Sequence, residues 1–549
     1  MPNKLINISI ILTLSFTSIS SFALQLTPDR NLTLEQVEQV ARKNETVNIN
    51  DQAWKNIDQG YNVILEAALN NIPVYGLTVG VGWNKDKPIF IEKNGTKVVS
   101  DELLAVSKKF NKSSLRAHSA GLGNPLPIET VRAGMLIRLN TMLNGETGVQ
   151  REVAEKYLDF LNHGITPVVP SRGTVGEADI TLASHIGLAM IGEWDVFYQG
   201  KRQAAETVME RLGIQPLDPV GKDFLSILST NSLMAGEATL LTLDNQRFLD
   251  KQIALFGLVL EGFNGNVAPF SEIAVNARPY AGMRKVAEKI RKTLNGSDLW
   301  KPSDTRSLQD PLSFRSMAYT LGAISENIDA LKQAVEIQIN STDDNPLVLT
   351  KSPVISADQT QLKRYEIKEG ELGAIYPTSN FNFLPITNKV EYLNQSLAKL
   401  AEVMTQQIIR FENPEFTKLS RFLSAPQNEG HAFGAIQKPF TETNIRIKQL
   451  AQPASFSSST LAGNIEDTIT MSSIALANNR QIVNGLYEIA SFQLLHGTQA
   501  LDLRSNFTAG DSTKAIWQEY RKVVPFIEQD KPYTPIIIEG IEFWKNYKK

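Results

Sequence analysis

Apolar residues recur every three and four positions along much of the chain's second half. Leu321, Ile324, Ile328, Leu331, Val335 and Ile339 keep that step, as do Val390, Leu393, Leu397, Leu400, Met404 and Ile408. A 3.6-residue repeat puts each set on one face of an α-helix, so each run predicts a long helix with one buried stripe. From about residue 225 onward such runs dominate, separated by loops that contain Asn and Pro. Several long helices in one chain predict a mainly α protein with a bundle core, and argue against a βαβ sheet.

The earlier part reads differently. Leu34, Val37, Val40 and Ala41 keep a helix period after Thr33, a suitable cap, and a further helix runs through Arg132, Met135, Leu136 and Leu139. Between them, Tyr75-Gly76-Leu77-Thr78-Val79-Gly80-Val81-Gly82 is punctuated by three glycines, which disfavour helix and predict a loop presenting one aromatic hydroxyl. The chain therefore divides into 1–23, a smaller loop-rich N-terminal region at 24–224, a central helical bundle at 225–505 and a C-terminal segment at 506–549. In the first of these, Lys4 precedes the apolar run Ile8 to Phe16, and Ser21-Phe22-Ala23 places small residues at a cleavage site. That is the pattern of a secretory signal cut after Ala23, so a periplasmic or secreted protein is expected, with no membrane attachment after cleavage.

Composition narrows the chemistry. The 549 residues carry a net charge of −3, which offers no basic surface for nucleic acid or acidic lipid. Cysteine is absent, which excludes disulfides, thiol nucleophiles and thiolate metal sites. The five histidines, His118, His163, His185, His431 and His496, lack metal-ligand spacing, so no metal is expected. Asp343-Asp344-Asn345 lacks the ligand run of a calcium loop and reads as a helix-ending turn before Pro346.

The stretch richest in candidate chemistry is Gly173-Thr174-Val175-Gly176-Glu177-Ala178-Asp179, set between an apolar lead-in and a helical pattern beginning at Ile180. Two glycines three apart, then two carboxylates at a helix start, predict a tight turn aimed into a pocket. No lysine follows to make it a phosphate loop.

With its flanks, this stretch resembles the signature of the histidine and phenylalanine ammonia-lyases and related aminomutases. In that family the second glycine is followed by Ala-Ser-Gly-Asp, and the tripeptide cyclises into an electrophilic methylidene-imidazolone. Here Gly176 is followed by Glu177-Ala178-Asp179, one residue shorter and without the serine whose hydroxyl must be lost. Other segments resemble the family in the same order. Tyr75 matches the catalytic base of its Tyr-Gly loop, and His118 falls where histidine lyases carry Ser-His. Lys222 to Asn231 resembles a substrate-contacting segment whose asparagine falls on Ser229, with Asn231 two residues on as its substitute. Gln309-Asp310-Pro311-Leu312-Ser313-Phe314-Arg315 keeps the arginine of a Gln-Asp-x-Tyr-Ser-x-Arg loop but has Leu312 for its tyrosine. Ser379-Asn380-Phe381-Asn382 stands where Gly-Asn-Phe-His is usual, and Glu466, in Asn464-Ile465-Glu466-Asp467, matches the imidazole-facing glutamate of histidine lyases.

The resemblance implies the family's helical fold, usually a homotetramer with each active site built from three subunits. It also implies a base at Tyr75, a carboxylate fork at Arg315 and a ring pocket from His118 and Glu466. Lys438 could set a positive charge against a thiolate-like sulfur, and Trp83, Tyr376 and Phe381 are candidates for an aromatic wall around a quaternary ammonium. A family branch without the prosthetic group, the ergothionases, releases trimethylamine from ergothioneine. A lyase of that kind, with no cofactor and an imidazole amino acid or its betaine as small-molecule partner, is the leading expectation. The alternatives are an ammonia-lyase or aminomutase with an unusual electrophile, and an inactive relative that binds a betaine or amino acid.

Overall fold

Four helices carry the centre of the molecule: Ser232–Phe263, Met317–Ile339, Leu384–Phe411 and Ser472–Leu503. In this computed structural model, which describes residues 23–70, 72–74 and 101–548, they pack side by side as a bundle. Both apolar stripes named above are buried along their whole length. The expected export segment, Tyr75 and Trp83 lie outside the described residues.

The bundle's register is fixed by polar groups inside it. Asn245 donates to Asn479 (2.7 Å) and Asn479 to Asn394 (2.8 Å), linking three helices through buried amides. Farther along, Gln252 donates to Gln493 (2.9 Å) and Gln493 to Gln407 (2.6 Å) across the same three helices. A slip by one turn would strand these amides in an apolar interior, so the ladders select one alignment where apolar contact alone would tolerate several.

The Ile128–Met142 helix crosses the start of Ser232–Phe263 at close range, because a Cβ on Gly236 would stand 2.6 Å from the Gly134 nitrogen. From Thr130 onward it is buried on every side and includes two buried charged residues, Arg132 and Arg138. Near the N-terminus, the Leu34–Lys43 helix begins at Thr33 with a reciprocal cap: Thr33 accepts from the Gln36 N–H, and the Gln36 side chain accepts from the Thr33 N–H. Among the described residues, the strands form four small sheets of two or three strands. One matters for the site: Leu122–Pro125 pairs antiparallel with Pro170–Arg172, the strand that leads into the glycine turn. No described helix is long and apolar enough to cross a membrane.

Three of the four central helices begin at the same end of the bundle. Ser232 starts beside the loop that follows Ile339, Leu384 follows Asn382, and Ser472 follows Thr470; the contacts below join all three to the 173–179 turn. Their opposite ends meet at Phe263, Phe314 and Phe411, with Phe263 stacked on Phe314 at 3.8 Å between ring centroids. The 28 residues of Leu384–Phe411 set the two ends about 40 Å apart.

Candidate functional site

The 173–179 turn is held from three directions. Behind it, Gly173 packs on Gly121, whose Cα lies 3.2 Å from where a Gly173 Cβ would stand. Below it, the Thr470 and Met471 N–H groups donate to the Val175 carbonyl (3.0 and 2.9 Å), and the Thr470 hydroxyl donates to the Gly176 carbonyl (3.0 Å). Gly176 has φ +91°, and any Cβ there would overlap that hydroxyl, so only glycine fits. Within the turn, Thr174 Oγ1 donates to the Ala178 carbonyl (3.0 Å) and lies 3.1 Å from the Gly176 nitrogen, whose N–H it accepts. Ala178 itself is buried at φ +66°, a conformation alanine rarely adopts.

Glu177 projects from this turn. Its two carboxylate oxygens accept from the Asn382 amide at 3.0 and 3.2 Å, and the two residues also form a backbone bridge. Burial pushes the Glu177 carboxyl up to about 7, the Asn382 bond opposes that, and the negative charge of Glu466 adds to it. Glu466, whose charge reaches Glu177, lies in a tight loop in which its backbone pairs with Leu461. His118 ends the Asp101–His118 helix, three residues before Gly121, and is half-buried with Nδ1 2.8 Å from the Ser114 carbonyl. A carbonyl can only accept, so Nδ1 carries the proton and Nε2 is left for a ligand.

Asp179 closes the turn. Its N–H donates to the Thr230 carbonyl (2.6 Å) and its Oδ2 accepts from the Met234 N–H (3.0 Å), which ties the turn to the start of the long Ser232–Phe263 helix. Full burial pushes its carboxyl up to about 7, with Met234 opposing and Asp343 adding. Asn231, the residue before Ser232, is fully buried, yet among the described residues neither its amide nitrogen nor its amide oxygen has a hydrogen-bond partner. Buried amides are rarely left so, and an amide free at a turn of this kind is available to a ligand or a neighbouring subunit.

Asn231 is positioned by a buried ionic network. Its N–H and the Thr230 hydroxyl both donate to Asp343 (2.7 Å each), and Arg138 donates to Asp343 (3.0 Å) and to both oxygens of Asp344 (3.0 and 2.9 Å). Lys222 lies 3.8 Å from Asp344, and burial pushes its ammonium down to about 8. Burial would raise Asp344 as well, but Arg138 and Lys222 outweigh it and hold the carboxyl below the usual range. Asp343-Asp344-Asn345, expected as a helix-ending turn and, by resemblance, as a segment bordering the active site, also carries this buried network. The helix does end at Ile339, but the acid pair is driven inward by the Arg138 charge on the helix facing it.

Two expected site residues are elsewhere in the chain. Arg315 sits at the far end of the bundle, where Nη1 donates to Gln309 (2.5 Å) and Nε has no partner; neighbouring Leu308 and Leu312 are exposed. Lys438 is exposed on the Gln437–Leu450 helix, whose first residue bonds Glu412, just beyond Phe411 at that same end. One chain therefore gathers His118, the 176–179 turn, Asn231 and Glu466 at one end, and Arg315 and Lys438 at the other. Of the aromatic candidates, Tyr376 ends a strand with its ring 5.3 Å from Tyr365 and its hydroxyl unpartnered, and Phe381 is half-buried next to Asn382.

The sequence reading assigned no role to Asn382, Thr470 or Arg138. An arginine in a mostly apolar helix was a usable signal for the last; Asn382 lay in the Ser379–Asn382 match without a role, and nothing local marked Thr470. Among the described residues, no group of three or more His, Asp or Glu could hold a metal ion. The arrangement offers an imidazole Nε2, an unpaired amide and two adjoining carboxylates, next to the N-terminal ends of several helices. Such ends carry partial positive charge, which favours a substrate carboxylate or a phenolate.

A family model described as Aromatic amino acid lyase matches residues 32–522. Among curated proteins, the chain is similar to histidine ammonia-lyase from Streptococcus gordonii, 29% identical over 91% of each chain. It is similar also to histidine ammonia-lyase from Caldanaerobacter subterraneus, 28% identical over 92% of this chain and 94% of that protein. Among solved structures, ergothionase from Treponema denticola in complex with desmethyl-ergothioneine sulfonic acid superposes with a TM-score of 0.86. It is 34% identical, covering 95% of this chain and 99% of that one. Histidine ammonia-lyase from Trypanosoma cruzi, 21% identical, shares the fold with a TM-score of 0.81 over 95% and 93% of the two chains.

Proposed function

The chain belongs to the aromatic amino acid lyase family, whose carbon–nitrogen lyase chemistry is the premise from which we propose that it acts as an ergothionase, eliminating trimethylamine from ergothioneine to leave thiolurocanate. One observation carries the reading: the turn where the family builds its electrophile holds Glu177-Ala178 in place of Ala-Ser-Gly. The residues present do not fit a methylidene-imidazolone. The turn has no serine, and its only hydroxyl, that of Thr174, is committed to Ala178 and Gly176. The 34% likeness to Treponema denticola ergothionase supports the same reading.

The chemistry is consistent with that loss. An electrophile activates a primary amine by bonding to its lone pair, and a quaternary ammonium has none to give. It also needs no activation, because it departs as a neutral tertiary amine without taking up a proton. What remains necessary is a base for the β-proton, a clamp for the carboxylate and a pocket for the ring. Tyr75 supplies the base as its phenolate. His118 through Nε2 and Glu466 hold the imidazole ring, and the free amide of Asn231 meets the carboxylate.

Arg315 and Lys438 complete the site only from a neighbouring chain, because each lies a bundle's length from Glu177. Association of chains with their bundles antiparallel brings one chain's far end to another's turn, in keeping with a homotetramer. Arg315 then clamps the substrate carboxylate and Lys438 faces the sulfur.

The direct test is incubation with ergothioneine. Trimethylamine and an ultraviolet-absorbing thiolurocanate are expected in equal amounts. Release of ammonia from histidine with no trimethylamine from ergothioneine would return the chain to the ammonia-lyases, and tight binding without turnover would make it a binding protein.

A further inference from the structure

Glu177 has no role in the elimination just described, yet its side chain is held fixed in the turn. Asn382 fixes both its oxygens, Gly176 and Ala178 hold its backbone with positive φ on either side, and Glu466 stands close by. Among the described residues no lysine, arginine or histidine forms an ion pair with it. The same turn is faced by unsatisfied groups. Ser472 is fully buried, its hydroxyl has no partner among the described residues, and that hydroxyl lies 3.1 Å from where a Gly176 Cβ would stand. The buried Asn231 amide, likewise free, follows the Thr230 carbonyl that binds the turn. A carboxylate fixed by Asn382, with no counter-ion among the described residues, next to polar groups without partners there, forms a half-finished cation site.

The geometry points to Glu177 as the residue that recognises the quaternary ammonium of the substrate and so selects betaines, an inference that rests on the betaine-lyase reading above. A trimethylammonium has no N–H to offer, and its charge is spread over methyl groups. It needs an anionic wall held at fixed position more than a set of hydrogen-bond acceptors. Asn382 provides the fixing: it occupies the carboxylate's hydrogen-bonding capacity on one side while leaving the charge intact.

The energetic consequence is specific. The attraction between Glu177 and the substrate is greatest in the ground state and weakens as the Cα–N bond breaks, because the departing amine is neutral. Removing the charge therefore raises KM without lowering kcat in proportion. It also ties binding to pH. The cation binds the ionised carboxylate, so affinity rises as pH increases through about 7, where burial and Glu466 have placed the Glu177 carboxyl. The groups that face it are Glu466, which is acidic, and Asn382, which does not titrate.

The test uses the full chain and two readouts. Calorimetry with tetramethylammonium chloride should show binding that strengthens from pH 6 to pH 8. The E177Q variant should weaken it on the order of tenfold to a hundredfold and flatten the pH dependence, while E177D restores part of it. Steady-state assays with ergothioneine should put the E177Q defect in KM. Tetramethylammonium binding equal in wild type and E177Q, or no binding to wild type, overturns the assignment, as does a defect confined to kcat. The two readings fail separately. Glu177-dependent binding without trimethylamine release leaves this assignment and removes the ergothionase reading; turnover with Glu177-independent binding does the reverse.

Discussion

Replacing Asp344 by asparagine tests whether the buried network holds the active end of the bundle together. The Asp344 carboxylate takes one bond from each Arg138 terminal nitrogen (3.0 and 2.9 Å), one from the Thr147 hydroxyl (2.9 Å), and faces Lys222 at 3.8 Å. All of these charged groups are fully buried. Asparagine keeps the shape but removes the charge, and its amide nitrogen turns two donors toward donors. Breaking a buried ion pair from one side costs about 3–5 kcal/mol. Arg138 retains Asp343, so about 3 kcal/mol is expected, the low end of that range. Urea unfolding followed by circular dichroism at a fixed subunit concentration measures it. The sign with pH is fixed by the lowered folded-state value of Asp344. Its contribution is fully present above the ordinary carboxylate range and is lost as pH falls through the lowered value. The gap between wild type and variant should therefore be full at pH 7 and narrow in acid. A difference at pH 7 below about 0.5 kcal/mol, the size of an ordinary surface change, would refute the network's role.

Other outcomes follow from the same structure. Y75F should lower the elimination rate by on the order of 10²–10⁴ while ergothioneine still binds, since only the proton acceptor is lost; turnover within a few-fold of wild type would remove Tyr75 as the base. N231A and R315A should each be inactive alone but regain activity when co-expressed, because mixed assemblies contain sites with both residues intact; no recovery would mean that the sites are not shared between chains. The raised Glu177 carboxyl is a stability cost that grows as pH rises from the ordinary glutamate value through about 7. E177Q should therefore melt above wild type at pH 8 and level with it near pH 4.5, and the opposite order would show that Glu177 is not buried against Glu466. N-terminal sequencing of exported protein should begin at Leu24, and an intact Met1 would exclude cleavage.

What the sequence made legible was what repeats. The three-and-four steps of Leu321 to Ile339 and Val390 to Ile408 are the buried faces of two central helices, and Thr33 is a cap. The glycine turn before Ile180 was legible too, because φ +91° at Gly176 leaves no other residue type. Periodicity gives the face of a helix but not which end meets which, so the separation of Arg315 from Glu177 was not visible. Buried polar residues leave no such pattern: Asn245, Asn394, Asn479, Gln252, Gln407 and Gln493 pair with one another inside the bundle, and no periodicity marks them. Asn382 stood in the Ser379-Asn380-Phe381-Asn382 match, but its partner Glu177 is 205 positions away, so their pairing was not legible.

The most direct test of a betaine lyase without an electrophile is a competition at equal concentrations of ergothioneine and histidine, with trimethylamine and ammonia read separately. In the proposed site His118, Asn231, Glu466 and Arg315 would serve both substrates, so the leaving group decides between them. Trimethylamine should accumulate with no ammonia above background. Ammonia equal to or exceeding trimethylamine would contradict the account.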